Sequence, residues 1–335
     1  MEIPKLEDWA PDENTSYSIS VMPIEVQQMA AEVDEILKKW RSIHANNRAS
    51  RVPPEILYHY TDVHGLHGIV FDNCEIWLAD FRSTNDQTEG RHVRTVLSEG
   101  VEKGLPKDAA TAIGNIFQVP TGYPWDEGFF LVDSLEQRFF ASFSESANEL
   151  SQWVHYGAGG AGYCLGVMSQ SLLEQMLTVG DFTFHPQLIP VEYDPRVQGK
   201  TVEKFIADIA KCHAKYISVL GTHFRALEVM YEQLRNLLWW FQRAFALEFK
   251  NSHFMGEREW RYVVEISPVN PYAALSARTR VKGLGIAWYL PAKCIVRSIM
   301  AGPKVDYERF LAACSPLRLT RLNGVEISLS DIPLR

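Results

Sequence analysis

Residues 56–61 read Ile56-Leu57-Tyr58-His59-Tyr60-Thr61, and taking this hexapeptide as a strand sets the fold class. Its aromatic and β-branched residues suit a pleated, half-buried backbone. Alternate residues of a strand share a face, so His59 and Thr61 point one way while Tyr58 and Tyr60 point the other. Asp62 is placed to cap a helix over 63–71, with Leu66, Ile69 and Val70 on one side. A histidine where a strand opens into a helix can reach a ligand hydroxyl. Taken alone, the tetrapeptide 58–61 reads as a core strand with a satisfied histidine.

Working outward, strand patterns recur at 74–78, 139–144, 163–167, 187–193, 259–266 and 287–290, with 295–302 closing a sheet. Helical spacing covers 23–44, 91–102, 108–117, 150–156 and 169–177. It runs from Lys204 to Phe249 as two helices broken near Gly221. Residues 82–89 form a polar loop, and 120–124 form a Pro/Gly-rich turn. Strands and helices alternate irregularly, and no G-x-G-x-x-G follows an early strand, so the class is α+β rather than doubly wound. Residues 1–50 read as an arm with an amphipathic helix. Residues 51–335 read as one α+β domain, with a helical insertion near 204–249.

An apolar fraction of 46% against 22% charged residues places the 335-residue chain among globular proteins rather than disordered ones. A net charge of −8 argues against a broad electrostatic footprint for nucleic acid. The five cysteines never form a CxxC pair, which points to reduced thiols in the cytoplasm. The N-terminal residues lack the pattern of a signal peptide, and no apolar run could span a bilayer, so no membrane partner is expected. Nothing in the sequence indicates an oligomeric state.

Four constellations could carry chemistry. The first is the strand 58–61. The second is Asn85, Asp86 and Glu89, which a turn and a helix cap also explain. The third is Ser142 and Ser144 on one strand face, followed by Trp153 and Tyr156 on one helical face. That aromatic pair grips a planar ring or fills a core. Residues 157–162 are glycine-rich without a following Lys-Ser/Thr, so they form a cleft rim and not a phosphate loop. The fourth is Glu257-Arg258-Glu259-Trp260-Arg261, whose same-face carboxylates repel unless ligand hydroxyls or cations compensate. A surface ladder of Arg and Glu explains it as well. His59, His64 and His67 need not converge, and no metal-ligand motif appears, so no metal is expected. A serine-hydrolase elbow is absent, while a glycosidase-type carboxylate pair stays open.

In order along the chain, 58–61, Glu75-Ile76-Trp77-Leu78, 85–89, Phe143-Ser144-Glu145, 153–156, 257–261 and Ile299-Met300-Ala301-Gly302-Pro303 resemble a bacterial family, domain of unknown function 2971. The resemblance covers roughly 55–305, through seven individually unspecific motifs. That family is similar, more distantly, to the ADP-ribosyltransferase fold. The similarity implies a split mixed β-sheet clasping NAD as substrate. It implies that His59 donates to the adenosine-side ribose, with Thr61 on the same strand, and that Tyr60 or Tyr156 holds the nicotinamide. Ser144 or Tyr156 would flank the nicotinamide, with Ser142 and Trp153 also binding NAD. Glu259 would be the catalytic carboxylate, with Glu257 orienting the acceptor. The implied activity is transfer of ADP-ribose to a protein or nucleic acid acceptor, as in toxins or phage-defence effectors. Hydrolysis of NAD, or a catalytically silent binding cleft, are the alternatives.

Overall fold

The computed structural model describes residue 5 and residues 19–72, 74–81, 90–114, 137–179, 182–221, 223–266, 278–282 and 285–334. The turn at 120–124 and the triad Asn85, Asp86 and Glu89 lie outside the described residues. In chain order come α1 (Ile24–Ala49), β1 (Ile56–Thr61), α2 (Val63–Leu66), β2 (Glu75–Asp80), α3 (Arg91–Gly104) and α4 (Lys107–Gly114). Then follow β3 (Gln137–Ser144), α5 (Leu150–His155), β4 (Tyr163–Met168), α6 (Ser169–Leu173), β5 (Leu177–Val179), β6 (Phe182–Phe184) and β7 (Gln187–Pro190). Two long helices come next, α7 (Pro195–Leu220) and α8 (Phe224–Phe245). The chain continues through β8 (Glu259–Ile266), β9 (Arg278–Lys282), β10 (Gly285–Lys293), β11 (Val296–Ala301), α9 (Tyr307–Cys314) and β12 (Glu326–Leu329).

These elements make a mixed α+β protein that divides into two compact units. The helical unit joins Met1–Ser50, Thr88–Glu127 and Glu192–Asn251. It therefore gathers the arm helix, α3, α4 and the insertion into one body. Trp40 of α1 donates its indole N–H to Asp208 of α7 at 2.8 Å, and its ring meets Phe205 edge-on. Phe205, Phe241 and Phe245 stack in series, with centroids 4.4 and 4.3 Å apart. At the far end of α1, His44 and Arg48 both reach Oε1 of buried Glu248 at 2.5 Å. α7 begins nine residues before the expected Lys204, because Asp194 caps the backbone N–H of Arg196 and Pro195 occupies the first turn. The break near Gly221 is present, with φ at +59°, where glycine is at no steric disadvantage.

The second unit joins Arg51–Gln87, Gly128–Val191 and Ser252–Arg335 around a ten-stranded mixed sheet. β3 organises it. Along one edge β3 pairs with β8 over its whole length, from Gln137↔Ile266 to Ser144↔Glu259. Its other edge is shared. β2 pairs there with Phe139 and Phe140, and β1 pairs only at Ser144. The two wings continue as β1-β4-β11-β12 and as β2-β10-β9, leaving 141–143 between them. Phe139, Ala141, Phe143, Trp260, Tyr262 and Val264 alternate onto one face and join Leu57, Leu165, Ile299 and Phe310 in the main core. Tyr60, Cys164 and the fully buried Trp153 form a smaller cluster, against which Tyr58 and Met300 pack.

Several local readings change. The helix after β1 continues as a π-turn through Asp72, and Asp62 caps it by accepting from Gly65 N at 2.8 Å. Helix 169–177 ends at Leu173, and Leu177 begins β5, paired with β6. β9, α9 and β12 were not expected. The glycine-rich run 157–162 packs beneath the end of β1: Gly162 N–H donates to Gly157 O, and Gly302 N–H donates to Gly162 O, both at 2.9 Å. A Cβ on Gly162 would lie 2.3 Å from the Thr61 carbonyl, which is backbone and cannot swing aside. Gly162→Ala should cost about 1–3 kcal/mol of stability, read as a lowered midpoint in urea. An unchanged midpoint would mean the turn relaxes freely.

Candidate functional site

The centre of the site is Ser142. It is exposed, while Ala141 and Phe143 on either side are buried. Its hydroxyl donates to Glu259 Oε1 at 2.5 Å, across the β3–β8 ladder. Its carbonyl O accepts from His59 Nδ1 at 3.0 Å, across the gap between the two wings. One serine thus links the histidine of β1 to the carboxylate of β8.

The partner fixes the tautomer of His59. A carbonyl can only accept, so Nδ1 carries the proton, and in the neutral ring Nε2 is left as an acceptor. Burial lowers the pKa of His59 from 6.5, against a smaller opposing effect of the Ser142 bond, so the ring is neutral at neutral pH. The expected role as a ribose donor is therefore reversed: the proton is committed to Ser142, and a ligand hydroxyl would have to donate to Nε2. The ring also leans on Phe143, with centroids 5.6 Å apart.

Glu259 is buried and paired with Arg261, which is 0% exposed. Arg261 Nε donates to Oε1 at 3.0 Å and Nη2 to Oε2 at 3.1 Å, a two-pronged geometry. The guanidinium lies 5.2 Å from the centroid of the Phe140 ring. Arg261 is two residues on from Glu259, so strand alternation brings both to the face that carries Ser142. The cation compensates the buried negative charge of Glu259.

Glu257 does not share a strand face with Glu259. It ends the short 3-10 turn Ser252–Glu257, and β8 begins only at Glu259. Arg258 between them has φ at +45°, a conformation that costs a non-glycine residue on the order of 1 kcal/mol. This kink turns the buried carboxylate of Glu257 toward Tyr156, whose hydroxyl donates to Oε1 at 3.1 Å. Buried Ser144 holds the kink, donating to Glu257 O at 2.7 Å and accepting from Ser146 N at 3.1 Å.

The family profile described as Protein of unknown function (DUF2971) matches residues 152–262. Over that stretch, about a third of the chain, the sequence is similar to that family. No curated protein and no solved structure matches the chain. The DUF2971 segment runs from α5 to the middle of β8 and contains Tyr156, Glu257, Glu259 and Arg261, whereas His59 and Ser142 are brought to it by β1 and β3.

The remaining residues expected at the site divide clearly. Tyr156 is 47% exposed beside Glu257 and stays at the site. Trp153, expected to grip a planar ring together with Tyr156, is buried against Tyr60, with ring centroids 4.9 Å apart. The Tyr60 hydroxyl donates to Ser146 O and accepts from Glu149 N, and the Trp153 indole donates to Asn148. Both brace the 146–149 turn that precedes α5. Thr61 packs on the first turn of α2, its Oγ1 filling the space a side chain at Gly65 would need. Ser144 acts on backbone. Arg261 was visible in the motif but received no role, because a charge two residues from a carboxylate reads equally as a surface ladder. Among the described residues no group of His, Cys, Asp or Glu is arranged to hold a metal, and no helix is long and apolar enough to cross a membrane.

Proposed function

We propose that this site cleaves the nicotinamide–ribose bond of NAD and transfers ADP-ribose to an acceptor, within a split sheet of ADP-ribosyltransferase type. The observation that carries the reading is the exposed Ser142 hydroxyl resting on Glu259, with His59 on the same serine at the gap between the wings. Breaking a glycosidic bond of this kind develops positive charge on the ribose. A carboxylate fixed by Ser142 and Arg261 offers preorganised negative charge at that place. The Ser142 oxygen, its proton given to Glu259, can accept from a ribose hydroxyl, and His59 Nε2 can accept from another. Glu257, held by Tyr156, is the group to orient an incoming nucleophile.

The purified protein should release nicotinamide from NAD, measured by chromatography. With NAD labelled in the adenosine half, label retained on a protein or nucleic acid identifies transfer, and free ADP-ribose identifies hydrolysis. If calorimetry shows no NAD binding and no nicotinamide appears with any acceptor, the reading fails. The acceptor role of neutral His59 adds a pH signature. Because the folded pKa is lowered, NAD affinity should be level through neutral pH and fall only below the ordinary histidine value of 6.5. There the imidazolium forms and Nε2 stops accepting. A His59→Ala variant should lose that acid limb.

A further inference from the structure

We propose that Cys74 and Cys294 form a reversible disulfide, a redox site apart from the Ser142–Glu259 centre. β2 and β10 are antiparallel, with Glu75 opposite Lys293. One step further, Cys294 N–H donates to Cys74 O at 3.1 Å, which sets the two cysteines opposite each other. In a regular ladder residues so bonded have Cα atoms about 5.5 Å apart, inside the roughly 4.4–6.8 Å span a disulfide bridges, and Cys74, with φ at +54°, sits at the turn where β2 leaves that ladder. The Cys294 sulfur already lies 3.9 Å from the Cys74 carbonyl oxygen.

The two thiols differ in a way that orders the chemistry. Cys74 is exposed and Cys294 buried. Burial, with a further contribution from Cys74, pushes the Cys294 thiol up to about 12 against the opposing effects of the Ile76 backbone and Lys293. Tyr262 of β8 is the other titratable side chain beside it. Cys74 is therefore the thiol that meets an oxidant, and Cys294 the one that resolves it. With a hydroperoxide as oxidant, the Cys74 sulfur takes one peroxide oxygen and becomes a sulfenic acid, as the O–O bond breaks and one water (or alcohol) leaves. The Cys294 sulfur then attacks the sulfenic sulfur. The S–S bond forms, the S–O bond breaks, and the hydroxyl leaves as water with the Cys294 proton. Two electrons pass from the thiols to the peroxide.

Hydrogen peroxide at graded doses should lower the free thiols of the full chain from five to three. Peptide mapping without reductant should join Cys74 to Cys294, and dithiothreitol should undo the link. The linked form should melt at a higher temperature than the reduced form, since the bond closes a long loop without moving the strands. Cys74→Ser and Cys294→Ser should each abolish the link. Stable sulfinic or sulfonic acid at Cys74 with no Cys74–Cys294 peptide overturns the proposal. So does a linked form that melts lower than the reduced one.

Discussion

Arg261→Met should destabilise the sheet unit by about 3–5 kcal/mol, the cost of leaving one buried charge without its partner. The guanidinium is fully enclosed, and both its prongs rest on Glu259. Removing it takes the cation from a carboxylate at 5% exposure that also accepts from the Ser142 hydroxyl. Urea unfolding followed by circular dichroism would show an earlier transition. The companion variant carries Glu259→Leu as well. Replacing both members of a buried pair by apolar side chains is often close to neutral, so the double variant should recover most of the loss. If the single change costs less than about 1 kcal/mol, the pair is more solvated than its burial indicates and cannot serve as a fixed charge.

Glu259→Gln should lower nicotinamide release by a factor on the order of 100 to 1,000, the range for removing one preorganised electrostatic group, while calorimetry still detects NAD. Glutamine keeps the shape and can still accept from Ser142, so the loss isolates the charge. It also leaves Arg261 short of an anion, so the variant must be assayed below its own melting transition. Ser142→Ala gives an independent reading. Its hydroxyl is at the surface, so stability should change little, yet nicotinamide release should fall because Glu259 and the ribose lose their shared contact. Full activity in both variants would remove Glu259 from the chemistry.

Much of the sheet was legible because its signals are local. β1 and β8 have the expected bounds, since aromatic and β-branched runs with clear punctuation leave few alternatives. α7 was placed late because an Asp-Pro start was outweighed by the stronger apolar period further on. Helix 169–177 was extended too far because Leu177 continues a helical spacing that the β5–β6 pairing overrides. At the site, His59, Ser142 and Glu259 were selected together, but the direction of the His59 hydrogen bond was not readable. It depends on a carbonyl in a strand more than eighty residues away. Trp153 misled for a related reason: three residues before Tyr156, an exposed ring grip and a core ring have the same spacing. Only the contacts with 146–149 distinguish them.

The longest ladder of β3 has a bearing on how the protein folds. β3 ends at Ser144 and its partner β8 begins at Glu259, with the two long helices α7 and α8 of the helical unit synthesised between them. Closing so long a segment costs little more free energy than closing a shorter one, since the penalty grows only with the logarithm of length. It does slow the search. β1 and β4 lie nearer in sequence and can zip first, while β3 stays without its principal neighbour until β8 leaves the ribosome. Ser142 and Glu259 therefore meet late, so the hydrogen bond between them forms among the last events of folding rather than being carried through it.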